Sequence, residues 1–182
     1  MDNIPNSDNI VLSILFIKNE VNKLKTLIVY SSKYGCTEKC ADFLSKELKD
    51  KPDIVNLKNC KDVNLSLYNK VIIGGSIYMG KIQKEVSDFC SKNLEVLKEK
   101  KIGLFICGMQ EGDSINTEIN QNFPKELIEI ATVIKHFGGE FDFSKMSFFE
   151  KLIVKIVAKT SSNKSNILKD NITNFAKIMN SI

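Results

Sequence analysis

The stretch Ile28-Val29-Tyr30-Ser31-Ser32-Lys33-Tyr34-Gly35-Cys36-Thr37 decides how this chain is read. Its first part belongs to a short apolar, β-rich run, Thr26 to Tyr30, which reads as a buried strand. A hydroxyl-rich loop with one glycine follows. Cys40, Ala41, Phe43, Leu44 and Leu48 then fall at helical spacing, so a helix is expected over Thr37 to Lys49, with Thr37 as its cap and Glu38 in its first turn. A helix that starts straight after a strand presents unpaired N–H donors and about half a positive charge to the loop. The hydroxyls of Ser31, Ser32 and Thr37 add donors there, and Gly35 permits close approach or positive φ. The sum is an anion pocket. It lacks the closing Gly-Lys-Ser/Thr of a Walker loop and the three glycines of a dinucleotide fingerprint. The same residues would also suit a turn that only caps a helix.

The pattern repeats along the chain. Further strands are expected at Ile54 to Leu57, Val71 to Gly75, Lys101 to Cys107 and Thr132 to Phe137, the last stopped by Gly138-Gly139. Helices are expected at Val86 to Leu97, from Pro124 to about Ile130, at about Phe148 to Lys159 and at about Asn166 to Asn180. Strands alternating with helices imply right-handed βαβ units and one parallel sheet. Five strands suit one doubly wound α/β domain, with its ligand at the carboxyl ends of the strands.

Composition narrows the function classes. The 182 residues suit a single domain, and a 43% hydrophobic share rules out a disordered chain. The net charge of +4 is too small to indicate a nucleic-acid partner. Five dispersed cysteines argue for a reducing cytoplasm rather than a disulfide framework. No apolar run has the roughly 18–20 residues of a membrane span. All 26 basic residues are Lys, so an anion site must use backbone N–H groups, hydroxyls or ammonium groups. Residues 1–24 read as a separate N-terminal extension or a misplaced start, ahead of a domain over 25–182. Ile10 to Ile17 is apolar, but Asp2 and Asp8 precede it, which does not fit a signal peptide.

The run from Ile28 to Thr37 resembles the flavodoxin signature, an apolar strand ending in a hydroxyl-rich loop with a small residue two before a Thr. The resemblance covers about Lys25 to Ile182. It implies a flavodoxin-like five-stranded parallel sheet of order 2-1-3-4-5 with helices on both faces. It also implies FMN as cofactor, with the phosphate wrapped by Ser31, Ser32, Lys33, Tyr34, Gly35, Cys36 and Thr37.

Two further loops lie at the same end of the sheet. After the third strand come Gly75, Ser76, Ile77, Tyr78, Met79 and Gly80, in a stretch too short for a strand of its own. Tyr78 offers a flat face for a heterocycle, or else covers the sheet end. After the fourth strand come Gly108, Met109 and Gln110, whose backbone suits the edge of a ring, or else they form an ordinary surface turn. Near these loops Glu111 and Asp113 are offset by Lys33 and Lys81. A less negative flavin potential than in acidic flavodoxins is therefore expected.

The tail sharpens the resemblance. Gly138 to Met146, then Phe148 to Lys155, is similar to the flavodoxin-like branch that includes menaquinone-dependent protoporphyrinogen oxidase, as is Gly74 to Gly80. The chain departs from that branch at Asp113 to Pro124, which looks shorter and has no Arg to meet a porphyrin's propionates.

Other constellations are weaker. Cys36 and Cys40 share a helix face, but two sulfurs make no closed zinc site, so no metal is expected. The only histidine, His136, has no evident nucleophile beside it, and no catalytic residue can be assigned. Lys151, Lys155 and Lys159 form a stripe that extends toward Lys164 and Lys169. It reads as the solvated side of a packed helix, or as a weak peripheral contact with the inner face of a membrane. The expected function is an FMN redox protein that moves electrons from a reduced substrate to a quinone-type acceptor. The alternative is a soluble electron carrier that docks a redox partner protein; such carriers are usually acidic, which this chain is not.

Overall fold

Three apolar runs form the middle of one sheet. In the chain, a computed structural model that describes residues 25–60, 62–149, 151–152 and 162–182, these are β1 (Thr26–Ser31), β3 (Lys70–Tyr78) and β5 (Lys101–Cys107). β2 (Asp53–Asn56) and β6 (Val133–His136) flank them, in the parallel order β2-β1-β3-β5-β6. Counting parallel strands alone, this is the expected 2-1-3-4-5.

Side chains alternate across the sheet because the strand period is two. Leu27, Val29, Val71, Ile73, Leu104 and Ile106 face one layer. That layer contains α2 (Lys84–Lys92), α3 (Leu94–Leu97), α4 (Ser114–Asn122) and α5 (Lys125–Ile130). Ile28, Tyr30, Ile72, Phe105 and Cys107 face the other, formed by α1 (Cys36–Glu47) and α6 (Lys169–Met179). On that side the Phe105, Phe137 and Phe175 rings are fully buried, Phe105 and Phe137 stacking with centroids 4.5 Å apart. Burial of each such ring stabilises by roughly 1.5–3 kcal/mol, which holds α6 to the sheet.

Four expectations need correction. The third strand does not stop at Gly75. It runs on to Tyr78 and pairs antiparallel with β4 (Lys81–Ile82), because Met79 (φ 52°) and Gly80 (φ 75°) both adopt the left-handed geometry of a tight hairpin. Gly138-Gly139 does not end structure but opens β7 (Gly138–Phe141), antiparallel to β8 (Lys164–Ile167), so the last helix starts at Lys169 rather than Asn166. The helix expected from Val86 to Leu97 is two, separated at Asn93. α4 was hidden by its polar composition, Ser-Ile-Asn-Thr-Glu-Ile-Asn-Gln-Asn, of which Ile119 and Glu118 are buried. Phe148, Phe149, Lys151 and Leu152 are helical, while Lys155, Lys159 and the extension 1–24 lie outside the described residues.

Candidate functional site

Every parallel strand ends at the same edge of the sheet, and a cleft opens there. Ser32, Lys33, Tyr34 and Cys36 line one side of it, with Ser76, Ile77 and Tyr78 on another and Cys107, Gly108 and Met109 on a third. Gly139, Glu140 and Met146 close the remaining side. The cleft opens to solvent.

The first loop is organised around Gly35. It is the N-cap of α1 at φ 98°, a conformation that a Cβ would strain. Helix α1 therefore begins at Cys36, one residue before the expected cap, and Thr37 sits inside the first turn. The amides of Cys36, Thr37 and Glu38 have no carbonyl one turn earlier to bond. The Thr37 side chain is fully buried and its Oγ1 has no partner among the described residues. Ser32 Oγ accepts from the Gly35 amide at 2.9 Å, and Ser76 Oγ accepts from the Lys33 amide at 3.2 Å, tying the first loop to the second. The Lys58 ammonium donates to the Ser32 carbonyl at 2.5 Å.

Sequence reasoning missed Lys145. Its ammonium donates to the Tyr34 carbonyl at 3.2 Å and stands 3.1 Å from where a Gly35 Cβ would be. It belongs to a short 3-10 turn, Phe143–Lys145, and only the folding of the β7 segment over the cleft brings it there. The one sequence signal is the Asp142-Phe143-Ser144 start of that turn, whose Asp142 carboxylate accepts from the Ser144 amide at 3.1 Å.

The other two loops are held by different contacts. Tyr34 and Tyr78 meet edge to face, with centroids 6.4 Å apart. In the third loop the Gly108 amide donates to the Gly138 carbonyl at 2.9 Å, and His136 Nε2 donates to the Gly108 carbonyl at 2.8 Å. The Asn171 side-chain amide in turn donates to the His136 carbonyl at 2.8 Å. Gly139 packs so closely that a Cβ there would lie 2.4 Å from the Gly108 carbonyl oxygen. Beneath this loop Glu118 is buried with Oε2 unpartnered among the described residues, and burial raises its carboxyl above the ordinary glutamate range.

Seven of the expected residues do not line the cleft, among them Gly35 and Thr37 at the start of α1. Ser31 is the last residue of β1 and its side chain points to the opposite layer, where its hydroxyl donates to Glu85 at 3.1 Å. Gly75 also faces that layer, against Ile82 and Val86. Met79 (73% exposed) and Gly80 form the hairpin tip, and Gln110 is exposed beyond the third loop.

The cysteines are not merely scattered fillers. Cys107, from β5, joins Cys36 and Cys40 from α1, with the three sulfurs all within 4.8 Å of one another. Hydrogen bonds from the Cys107 and Cys40 thiols hold Cys36 well below the ordinary thiol range. Cys107 is pushed well up, by burial first and by Cys36 next.

A doubly wound α/β sheet with a strand–loop–helix opening a cleft at its carboxyl edge is the architecture of nucleotide-binding proteins. The chain belongs to the flavodoxin family, whose domain model matches residues 27–167. FMN is the cofactor of that family. The chain is 22% identical over 158 residues to protoporphyrinogen IX dehydrogenase (quinone) of Escherichia coli strain K12, covering 81% of this chain and 86% of that protein. Among solved structures it resembles oxidised flavodoxin 1 of Bacillus cereus at TM-score 0.55 and 13% identity, covering 87% of this chain and 99% of the other. It also resembles rubredoxin oxygen:oxidoreductase of Desulfovibrio gigas at TM-score 0.51 and 16% identity, covering 93% of this chain but only 41% of that larger one. These structural likenesses speak to the fold.

The residues present fit FMN. An orphaned buried hydroxyl, open first-turn amides and one ammonium suit a phosphate dianion, and apolar and aromatic side chains suit a ring. The chain is an FMN redox protein. Among the described residues no helix is long and apolar enough to cross a membrane.

Proposed function

We propose that the cleft holds FMN and that the protein passes electrons from a reduced organic substrate to a quinone-type acceptor. The observation that carries the binding mode is Thr37: a buried hydroxyl without a partner, in the first turn of a helix, costs roughly 1–3 kcal/mol unless a ligand supplies its bond. In this reading the phosphate is held by Thr37, by Ser32 and by the α1 amides, with Lys145 supplying charge. Tyr78 and the Gly108–Met109 backbone flank the ring. FMN supplies hydride and single-electron transfer chemistry when bound. The polypeptide binds the cofactor, orients it and leaves one side of the cleft open to a second substrate.

The quinone reading draws support from the rim. Phe148 and Phe149 are 77% and 75% exposed and Leu152 is half-exposed, with Lys151 among them. They follow directly on Met146, which lines the cleft. An apolar edge beside lysine suits a lipid-soluble acceptor reached from an anionic membrane surface. The quinone in the name of the Escherichia coli relative points the same way. The absence of any Arg argues against strong recognition of a substrate with two carboxylates.

The test is reoxidation. The purified protein should carry the visible absorption of a flavin. After anaerobic reduction, short-chain menaquinone analogues should reoxidise it faster than oxidised ferredoxin or cytochrome c does. Faster reoxidation by the proteins would identify a soluble carrier instead.

A further inference from the structure

We propose that Cys36, Cys40 and Cys107 form a three-sulfur site for a soft monovalent cation, with Cu(I) as the ion it fits best. Cys36 and Cys40 lie one turn apart on the inner face of α1, and Cys107 ends β5 beneath them. All three are free and buried, at 7%, 0% and 1% exposure. Their sulfurs lie within 4.8 Å of one another. Metal–sulfur bonds of about 2.3 Å put the sulfurs of a trigonal site about 4 Å apart, so closing on an ion needs sub-ångström movement.

The donor set selects the metal. Thiolate sulfur prefers Cu(I), zinc and iron–sulfur centres, whereas calcium, magnesium and manganese require oxygen. Among the described residues no histidine, carboxylate or further cysteine completes the group, which leaves three donors. Structural zinc sites close with four. A three-donor, all-sulfur set in an apolar setting, beside Tyr30 and Phe105, therefore suits a d10 monovalent ion. Cys36 and Cys107 also line the cleft, so an ion has a path from solvent. Cys90 serves as the internal comparison. It is equally buried but packs in the opposite layer, outside the group. The argument uses the chain's own sulfurs and stands whether or not the FMN reading does.

The experiment uses the full chain carrying Cys60→Ser, which removes the one exposed thiol. Cu(I) is titrated anaerobically against a chromophoric Cu(I) chelator, before and after FMN loading. One equivalent should bind, with an ultraviolet sulfur-to-copper band and release of protons from the thiols. Cys40→Ser or Cys107→Ser should weaken binding by more than the roughly 10–100-fold cost of outer-sphere changes. Cys90→Ser should leave it unchanged. Alkylation mapping on the chain with all three thiols intact gives a readout that needs no core substitution: Cu(I) should protect Cys36, Cys40 and Cys107 together. No one-to-one complex, copper that leaves these thiols open to alkylation, binding that survives Cys107→Ser, or tighter binding of Zn(II) in direct competition would each overturn the proposal.

Discussion

The Lys33 ammonium lies over the face of the Tyr78 ring, 3.0 Å from its centroid. A cation so placed at a partly exposed ring is worth about 0.5–1 kcal/mol. One face of the Tyr78 ring is thus covered by a positive charge, which a flavin stacking there would meet or displace. Replacing Lys33 with Gln should make the flavin potential more negative by roughly 30–60 mV, equivalent to about 0.7–1.4 kcal/mol per electron. Tyr78→Ala should weaken FMN by about 0.5–1.5 kcal/mol, or about 2- to 12-fold. Dye-equilibration potentiometry and fluorescence titration read these effects, and an unmoved potential would remove Lys33 from the flavin's surroundings.

Thr37→Val separates binding from folding. The hydroxyl bonds nothing among the described residues, so the FMN-free variant should be at least as stable as the parent. FMN affinity should fall by about 1.5–3 kcal/mol, the range for a bond to a charged group. Riboflavin, which has no phosphate, should bind both proteins alike. Equal loss for both ligands would place the phosphate elsewhere.

Lys145 is half-exposed, so its contribution is screened. Lys145→Gln should weaken FMN by about 0.5–1 kcal/mol at low ionic strength. The difference should shrink toward zero in 1 M salt. Isothermal titration at two salt concentrations decides the matter.

Glu118 makes stability depend on pH. Burial raises its folded-state value, so the native protein favours the neutral acid. The contribution to stability is fully present below about pH 4, where free glutamate is protonated, and is lost as pH rises through the raised folded value. Glu118→Gln should therefore melt higher than the parent at pH 7, by about 2–4 °C for each kcal/mol gained. Near pH 4 the two should melt together. A difference that persists unchanged at pH 4 would show that Glu118 is not the titrating group.

If the rim meets a membrane, co-sedimentation with anionic vesicles should occur at low salt and fail with neutral ones. Each Lys near such a surface is worth about 1 kcal/mol. Lys151→Glu should weaken binding, as should Phe148→Ser with Phe149→Ser. Binding that survives high salt would implicate the apolar run Ile10 to Ile17 instead.

The alternation of strand and helix made the sheet readable, because β1, β3 and β5 are buried on both faces and so carry almost uninterrupted apolar runs. Their order followed from the resemblance. The details that escaped depend on direction or distance. Ser31 sits in the right loop by sequence, yet strand alternation sends its hydroxyl toward Glu85 while neighbouring Tyr30 faces α1. Lys145 and Cys107 lie far along the chain from the α1 residues they meet, and no local spacing announces either meeting. Tyr78 was placed beside the cleft, but its strand continues only because a two-residue turn lets the chain pair back on itself.

The β7–β8 ribbon gives the architecture a modular seam. Its four paired positions, Gly138 with Ile167 through Phe141 with Lys164, clasp both ends of the intervening segment outside the main sheet. The segment is thus closed on its own base. Beyond Lys145 and Met146, which serve the cleft, a change there would leave the pairing of the parallel sheet untouched. Grafting residues 147–163 from a related chain would exchange that segment while keeping Lys145 and Met146 at the cleft.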